Sequence, residues 1–211
     1  MSGKNGIVTG AGGGGIGRAS ALAFANAGAR VLIMDIAAEP LEETARLIGE
    51  AGGTAETMVG DASDEDFAAQ MVARTVELWE TLDFAHNNAG IGIAATPFAQ
   101  QERSTWDRVF TLNAFGAMSF MKHELRQMEK QGFGAIVNTS SMSGKNGSPG
   151  LSPYDASKWT AARGSSVSSE TAGRSRLRAA GVVRWLHDGS FCTHRLSLRR
   201  VGRYRRCAHR S

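Results

Sequence analysis

Two side chains suited to proton transfer lie close together in the second half of the chain. Tyr154 and Lys158 are four residues apart, and Ser141 precedes Tyr154 by thirteen residues at the end of the segment 136–141. Residues i and i+4 of a helix share a face, so we expect the Lys158 ammonium beside the Tyr154 phenol, where a cation favours the phenolate. A tyrosine whose pKa falls from ~10 by roughly three units, about 4 kcal/mol, works as a general acid/base at neutral pH. The same spacing also fits an ordinary amphipathic helix, so the pattern gains meaning only beside other motifs.

The elements expected to position a cofactor lie at the other end of the chain. A short apolar strand, 6–9, leads into a glycine-rich run, 10–17, and then into an alanine-rich helix, 18–28. Glycines let the backbone approach a pyrophosphate, and the free N–H groups at the start of a helix stabilise its charge. A second strand, 30–35, ends in an acid eighteen residues after the glycine run. An acid at this point binds an adenosine ribose and repels the extra phosphate of NADP, so NAD is predicted, while Arg18 keeps NADP as the less favoured alternative.

A later strand carries the motif that completes the pattern. This strand, 82–86, ends in Asn-Asn-Ala-Gly at 87–90. With the glycine turn, the serine and the Tyr-x-x-x-Lys pair, this order of motifs resembles the short-chain dehydrogenase/reductase family over residues 4–163. Asn113, twenty-eight residues before Ser141, matches the family's fourth active-site position. The resemblance implies an α/β fold with a doubly wound, Rossmann-like parallel sheet, and an oxidoreductase that moves a hydride between NAD(P) and a secondary alcohol or ketone.

The resemblance also implies roles for single residues. Tyr154 is expected to exchange a proton with the substrate oxygen, which Ser141 would hold. Lys158 would favour the Tyr154 phenolate and bind the nicotinamide ribose, and Asn113 would anchor a water that links Lys158 to solvent. The residues expected to line the cofactor site are Gly10, Gly15, Ile16, Gly17, Asp35, Asp61, Ala62, Asn88, Ala89 and Gly90, together with Tyr154 and Lys158.

Three features leave alternatives open. Four residues separate Gly10 from Gly15 where the family has three, so the register of the turn is uncertain. Gly15 and Gly17 are therefore favoured over Gly10 as cofactor contacts. Asp61 also fits a helix cap, although the next residues already have the composition of a cap. His86 is interpreted as a strand residue and not as a catalyst.

The composition changes abruptly near residue 163. Residues 1–163 carry 13 Lys and Arg against 18 Asp and Glu, whereas residues 164–211 carry 11 Arg, no Lys and two acids. The last proline is Pro153, so the sequence lacks the Pro-Gly turn that the family has after its sixth strand. We therefore expect one NAD(P)-binding domain at 1–163 with its last one or two strands missing, followed by an atypical basic tail at 164–211.

The tail has several interpretations. A shifted reading frame in a GC-rich gene would yield such a composition. It predicts a protein that binds the cofactor but has little activity, and whose fifth strand, 135–139, is an exposed apolar edge of the sheet. Only 181–186 then has the composition to replace the sixth strand. A genuine basic extension would instead add nucleic-acid binding, although its arginines are not interleaved with aromatic residues. The two Cys-x-His pairs, at 192–194 and 207–209, are spaced too tightly for an ordinary zinc site, so neither a metal nor a disulfide is predicted.

Further expectations concern the surroundings of the protein. No apolar run approaches ~18 residues and a strand begins within the first ten, so neither a membrane span nor a signal peptide is expected, and a cytoplasmic location follows by default. The loops 91–98 and 142–151 are expected to shape a hydrophobic pocket for a small-molecule alcohol or carbonyl substrate. The helices at 104–130 and from Pro153 are candidates for pairing in a homo-oligomer. The net charge of +4 does not favour nucleic acid, because the predicted domain itself is acidic.

Overall fold

One sheet of six parallel strands forms the centre of the fold. The computed structural model describes residues 1–171 and 176–182, and the strand order is β3-β2-β1-β4-β5-β6. The strands are β1 (Asn5–Thr9), β2 (Arg30–Asp35), β3 (Thr54–Val59), β4 (Phe84–Asn87), β5 (Phe133–Thr139) and β6 (Arg176–Val182). The predicted doubly wound, Rossmann-like α/β fold is confirmed.

Helices connect the strands and cover both faces of the sheet. They are α1 (Ile16–Asn26), α2 (Ala38–Glu50), α3 (Glu65–Trp79), α4 (Arg103–Phe110), α5 (Ala117–Gln131) and α6 (Ser152–Thr171). The N-cap of α3 is Asp64, whose carboxylate accepts hydrogen bonds from Asp66 N and Phe67 N. The capping role considered for Asp61 therefore belongs to Asp64, because Asp61 lies one turn earlier and its Oδ1 accepts from Ser63 N instead.

Successive residues of the central strands pack into two separate apolar layers. Ile7 of β1 lies in the layer formed with α3 and α5, which includes Phe120. Val8, the next residue, lies in the layer formed with α1 and α2, which includes Leu41 and Ile48. All five side chains are buried, and burying one of this size contributes about 1.5–3 kcal/mol. Strands covered on both faces need apolar residues at every position, which explains the continuous apolar runs of β1 and β2.

The sixth strand corrects one expectation about the end of the chain. β6 pairs with β5 in parallel along its whole length, from Phe133 beside Arg176 to Thr139 beside Val182. β5 is therefore an interior strand and not the exposed edge that was expected, and the replacement strand begins five residues before the predicted 181–186. Its arginines made this strand hard to predict from the sequence, because the stretch lacks the apolar run that marks the other strands. The described residues contain no seventh strand, so at most one strand of the predicted sheet is missing from them.

The helix predicted at 104–130 is one continuous helical stretch with an irregular centre. Between α4 and α5, the turn Thr111–Gly116 has the wider π-helical hydrogen bonding. A β-carbon added at Gly116 would lie 2.5 Å from Ala62 O, so the stretch passes close to the loop after β3. π-turns within helices occur often at functional sites, and this one contains Asn113.

Some predictions concern residues outside those that the structure describes. These are the interpretations of the basic tail beyond Val182, including its two Cys-x-His pairs and its proposed affinity for nucleic acid. Within the described residues, every helix is too short or too polar to span a bilayer.

Candidate active site

The predicted site residues gather at the carboxyl ends of the parallel strands. The strand order reverses between β1 and β4, and in sheets of this kind ligands bind in the crevice at that switch point. A groove of about 320 Å³ lies there. All ten residues predicted to bind cofactor outside the catalytic group line it: Gly10, Gly15, Ile16, Gly17, Asp35, Asp61, Ala62, Asn88, Ala89 and Gly90. Six further residues line the groove that were not predicted from the sequence: Gly13, Met34, Ile36, Gly60, Ile91 and Leu112.

The glycine turn brings three parts of the backbone close together. Gly10 has φ +67, and a β-carbon there would lie 2.9 Å from Ala89 Cα. A β-carbon at Gly17 would lie 2.0 Å from Gly10 O, so the start of α1 rests directly against the end of β1. Gly10 is thus under as much steric constraint as Gly17, and it lines the groove beside Gly17 and Gly15.

The middle of the glycine turn is open and fits a pyrophosphate. A β-carbon at Gly13, Gly14 or Gly15 would meet no atom within 4 Å. Helix α1 begins immediately afterwards at Ile16, with Gly15 as a cap that offers no side chain. The first N–H groups of a helix have no partner within it and carry partial positive charge, so this end of the groove suits an anion.

Asp35 and Arg18 both contact the glycine turn, although Asp35 predicts NAD as the cofactor and Arg18 favours NADP. The Asp35 carboxylate accepts hydrogen bonds from Gly12 N at 2.8 Å and Ala37 N at 3.1 Å. The Arg18 guanidinium donates to Gly12 O at 2.6 Å and to Pro40 O at 2.9 Å. Asp35 lines the groove and presents its carboxylate at the end of β2, where an adenosine ribose would lie.

Polar side chains join the ends of three strands beneath the groove. Thr9 Oγ1 accepts from Asn88 N at 2.9 Å and from Ala89 N at 3.0 Å. The Asn88 side chain donates to Thr9 O at 3.2 Å and accepts from Thr139 Oγ1 at 3.1 Å. β1, β4 and β5 are therefore fastened to one another at the level of the predicted cofactor contacts. The sequence analysis assigned no role to Thr9 or Thr139.

His86 extends this network into the core of β4. Its Nε2 lies 2.9 Å from Thr139 Oγ1. Thr139 donates its only hydroxyl hydrogen to Asn88, so His86 donates to Thr139 from Nε2. Burial lowers the pKa of His86 to about 4, so the ring is neutral at pH 7. The side chain is buried and serves the strand, as its interpretation from the sequence expected.

Tyr154 and Lys158 lie one turn apart on α6. The Lys158 ammonium lies 5.9 Å from the centre of the Tyr154 ring and donates to Thr139 O at 3.1 Å. Lys158 is 5% exposed, and burial lowers its pKa to about 8, so most of it is a cation at neutral pH. A β-carbon at Gly90 would lie 3.1 Å from Lys158 Nζ, which places the ammonium at the end of the groove.

Asn113 fixes the loop that follows Gly90. Its Oδ1 accepts from Ile91 N at 2.8 Å, and its Nδ2 donates to Ile91 O at 2.9 Å. The same Nδ2 donates to Ser157 Oγ at 3.2 Å, which connects the loop to α6. A β-carbon at Gly90 would lie 2.9 Å from Asn113 Oδ1 and 3.1 Å from Lys158 Nζ, so the two side chains lie close together. The side-chain amide of Asn113 holds protein to protein.

Ser141 lies two residues after the end of β5 and caps the short turn Met142–Gly144. Its Oγ accepts from Ser143 N at 3.2 Å, which orients the hydroxyl group without using its hydrogen. A β-carbon at Gly144 would lie 2.9 Å from Lys158 O, so this turn packs tightly against α6. Ser141 and the Tyr154/Lys158 pair are thus carried by adjoining elements.

The two loops predicted to shape the substrate pocket are hydrogen-bonded to each other. Thr96 N donates to Gly150 O at 3.0 Å. Gln101 Nε2 donates to Thr96 O at 2.9 Å and to Gly150 O at 3.2 Å. Gly150 has φ +79, and a β-carbon there would lie 2.9 Å from Thr96 N, so only glycine fits this junction without strain.

Comparison with known proteins agrees with this geometry. The sequence profile of the family described as short chain dehydrogenase matches residues 4–183, and so extends past residue 163. An uncharacterized oxidoreductase of Thermotoga maritima is 40% identical over 161 residues, which cover 75% of this chain and 61% of that protein. A cis-4-hydroxycyclohexanecarboxylate dehydrogenase of Sinomonas cyclohexanicum is 38% identical over 152 residues, which cover 72% of this chain and 60% of that protein. The chain therefore spans about three fifths of the length of these curated relatives.

Solved structures show the same fold. The crystal structure of an NAD⁺-bound xylitol dehydrogenase has a TM-score of 0.84 and 33% identity, covering 87% of this chain and 70% of that one. A metagenomic short-chain oxidoreductase in complex with NADP has a TM-score of 0.83 and 29% identity, covering 89% of this chain and 84% of that one. From its motifs, its site and these likenesses, the chain belongs to the short-chain dehydrogenase/reductase family of oxidoreductases.

Proposed function

We propose that this protein interconverts a secondary alcohol and a ketone with NAD as cofactor, and that Tyr154 is the proton donor and acceptor. The observation that carries the proposal is the buried Lys158 ammonium, which lies beside the Tyr154 ring and next to Gly90 at the end of the groove. A general acid/base and a cofactor groove then adjoin each other.

The groove supports a dinucleotide as the cofactor. The open glycine turn and the start of α1 would hold the pyrophosphate, Asp35 the adenosine ribose, and Asp61 with Ala62 the adenine. Asn88 to Gly90 would pass beneath the bound molecule. When bound there, the nicotinamide supplies or accepts the hydride. NAD is preferred over NADP because the Asp35 carboxylate would repel a 2′-phosphate.

The protein's own side chains would manage the proton. Tyr154 would take a proton from an alcohol and return one to a ketone, with the Lys158 cation lying beside its ring. The Ser141 hydroxyl, with its hydrogen available, would donate to the same substrate oxygen and hold it in place. Asn113 keeps the loop at Ile91 in position beside Lys158. Because its side-chain amide is engaged with Ile91 and Ser157, a water leading to solvent would have to bind its backbone.

Removal of the Tyr154 hydroxyl tests this proposal. We expect Tyr154→Phe to lower turnover of secondary alcohols with NAD by ~10²–10⁴-fold, since the general acid/base is lost, while NADH still binds in a fluorescence titration. Thr160→Val is the matched control, because it also removes one hydroxyl from α6, where Thr160 bonds only to Ala156 O. Turnover by Tyr154→Phe equal to that of the unchanged protein would overturn the assignment.

A second candidate is a cofactor binder with little turnover. It is favoured by the groove, whose lining residues all lie between 10 and 112. Ser141, Tyr154 and Lys158 do not line the groove, so cofactor binding can persist where turnover is weak. A protein that binds NADH and shows no turnover over a panel of secondary alcohols would support this candidate over the first.

The partners proposed are a small-molecule alcohol or ketone and a second copy of the chain. Self-association is supported by large apolar side chains exposed on the helical stretch around Asn113 and on α6. Phe115 is 56% exposed, Met118 36% and Trp159 52%. Water contact with such side chains is unfavourable, and a helix-to-helix interface would remove it.

A further inference from the structure

Glu124 of α5 is a fully buried carboxyl group with an amide as its partner. It is 0% exposed, and its Oε2 accepts from Asn87 Nδ2 at 2.9 Å. The same Asn87 nitrogen donates to Asn138 Oδ1 at 2.9 Å. Glu124 thereby connects α5 to the ends of β4 and β5, in the layer that contains Phe120 and Met121.

Two oxygen atoms of this cluster have no hydrogen-bond partner among the described residues. They are Glu124 Oε1 and Asn87 Oδ1. They belong to the carboxyl group and the amide group that already share one hydrogen bond. If Glu124 is ionised, both atoms are acceptors and neither can satisfy the other. An unsatisfied buried polar group is destabilising by ~1–3 kcal/mol, and more when it is charged. A single proton on Glu124 Oε1 turns one of the two acceptors into a donor and satisfies both.

We propose that Glu124 carries this proton in the folded protein and positions Asn87 through a cyclic acid–amide pair. In the pair, Asn87 Nδ2 donates to Glu124 Oε2, and the carboxylic hydrogen on Oε1 is donated to Asn87 Oδ1. Glu124 is a positioning residue, because it acts on the cofactor groove only through Asn87.

The surroundings of Glu124 favour the neutral acid. Burial raises its pKa to about 8, and the hydrogen bond from Asn87 lowers it by less. The charged groups on neighbouring elements are engaged elsewhere: Glu65 of α3 pairs with Lys122 and His123, and Lys158 of α6 donates to Thr139 O. His86 of β4 bonds to Thr139 and is neutral. Among the described residues, therefore, none donates a charge-assisted bond to Glu124.

The position of Asn87 makes the pair relevant to the cofactor. Asn87 is the last residue of β4, and the next residue, Asn88, bonds to Thr9 and Thr139 beneath the groove. Ionisation of Glu124 would place two repelling oxygens against each other and loosen the end of β4. This consequence for cofactor binding depends on the proposed function, whereas the protonation itself does not.

The variant Glu124→Gln tests whether the pair with Asn87 requires a proton on Glu124 or its negative charge. Glutamine keeps the shape, donates from its amide nitrogen and accepts at its oxygen, but it does not ionise. In the infrared difference spectrum between the unchanged protein and Glu124→Gln, we expect the carbonyl band of a protonated carboxylic acid at pH 6, which disappears above pH 8. In the difference spectrum between the unchanged protein and Glu129→Gln, at an exposed position of the same helix, no such band should appear. Absence of the band from the unchanged protein would overturn the proposal.

Cofactor binding supplies the second measurement. We expect the Kd for NADH to rise above pH 8 more in the unchanged protein than in Glu124→Gln, which shares every other titrating group including Lys158. At pH 7 the Kd of Glu124→Gln should lie near that of the unchanged protein, while Glu124→Leu, which lacks both hydrogen bonds, should bind more weakly. Binding by Glu124→Gln as weak as by Glu124→Leu would show that a charge is needed and would refute the proton. If Glu124→Leu does not fold, the infrared band decides, and it does so even if the protein neither binds NADH nor turns over.

Discussion

At the scale of single residues, the polar groups inside the sheet determine how this protein responds to pH. His86 is 6% exposed and neutral in the fold, and burial lowers its pKa from 6.5 to about 4. As pH falls below about 6.5, the unfolded chain therefore takes up a proton before the folded protein does. The contribution of neutral His86 to the free energy of unfolding is complete above pH 6.5. It falls by roughly 3 kcal/mol at most as the pH drops from about 6.5 to 4.

His86→Gln should remove this acid sensitivity. Glutamine can still donate to Thr139 Oγ1 but does not titrate, so its free energy of unfolding should change less between pH 6.5 and 4 than that of the unchanged protein. Urea unfolding at several pH values measures the difference. His123→Gln is the control, because it replaces a different histidine, on α5, which lies beside Glu65 of α3. Equal pH dependence in the unchanged protein and His86→Gln would contradict the prediction.

The sequence predicts site residues from their spacing in short motifs and misses polar residues that bond to distant parts of the chain. The glycine turn, Asn88 and the Tyr154/Lys158 pair each belong to a short local motif. Thr9 and Thr139 bond to partners 79 to 80 and 51 to 53 residues away, and Glu124 to one 37 residues away. Only the strand register brings such pairs together, and the one local sign is a polar residue within an apolar strand or helix.

At the scale of elements, the glycine turn makes a sharp distinction between neighbouring glycines. We expect Gly17→Ala to destabilise the protein by roughly 1–3 kcal/mol and to weaken NADH binding, because its β-carbon would lie 2.0 Å from Gly10 O. Gly14→Ala is the matched control for stability alone, since a β-carbon there meets no protein atom within 4 Å and φ is not positive. Urea unfolding measures the stability of both variants, and fluorescence titration measures NADH binding by Gly17→Ala. Equal loss of stability in the two variants would mean that the close approach of α1 to β1 is not what requires glycine.

The bounds of the elements show how far local pattern reaches. β2 has the predicted bounds, 30–35, because an apolar run between polar residues defines a buried strand by itself. The π-turn was missed, since a single extra residue in a helix of more than twenty leaves the amphipathic pattern nearly unchanged. β6 was also missed, because its arginines break the apolar run and its place depends on pairing with β5.

At the scale of the whole molecule, cofactor preference is measurable without knowledge of the substrate. A ligand that binds only the folded state stabilises it by about 2.7 kcal/mol at one hundred times its Kd. We expect NADH to raise the melting temperature more than NADPH at the same concentration, because Asp35 lies in the groove. The chain has a net charge of +4 and attracts anions weakly, so the comparison should be repeated at higher salt. A larger shift with NADPH at both salt concentrations would contradict the preference for NAD.

The strand order also sets the sequence of events while the chain is being made. Every wall of the cofactor groove comes from residues 10–112, whereas Ser141, Tyr154 and Lys158 follow later. At ~5–20 residues per second, a ribosome needs several further seconds to add them. During that interval β4 lacks its second neighbour, β5, because parallel pairing brings the two together only after α5 is complete. A dinucleotide bound to the unfinished protein would thus hold β1 and β4 together before Ser141, Tyr154 and Lys158 have been added.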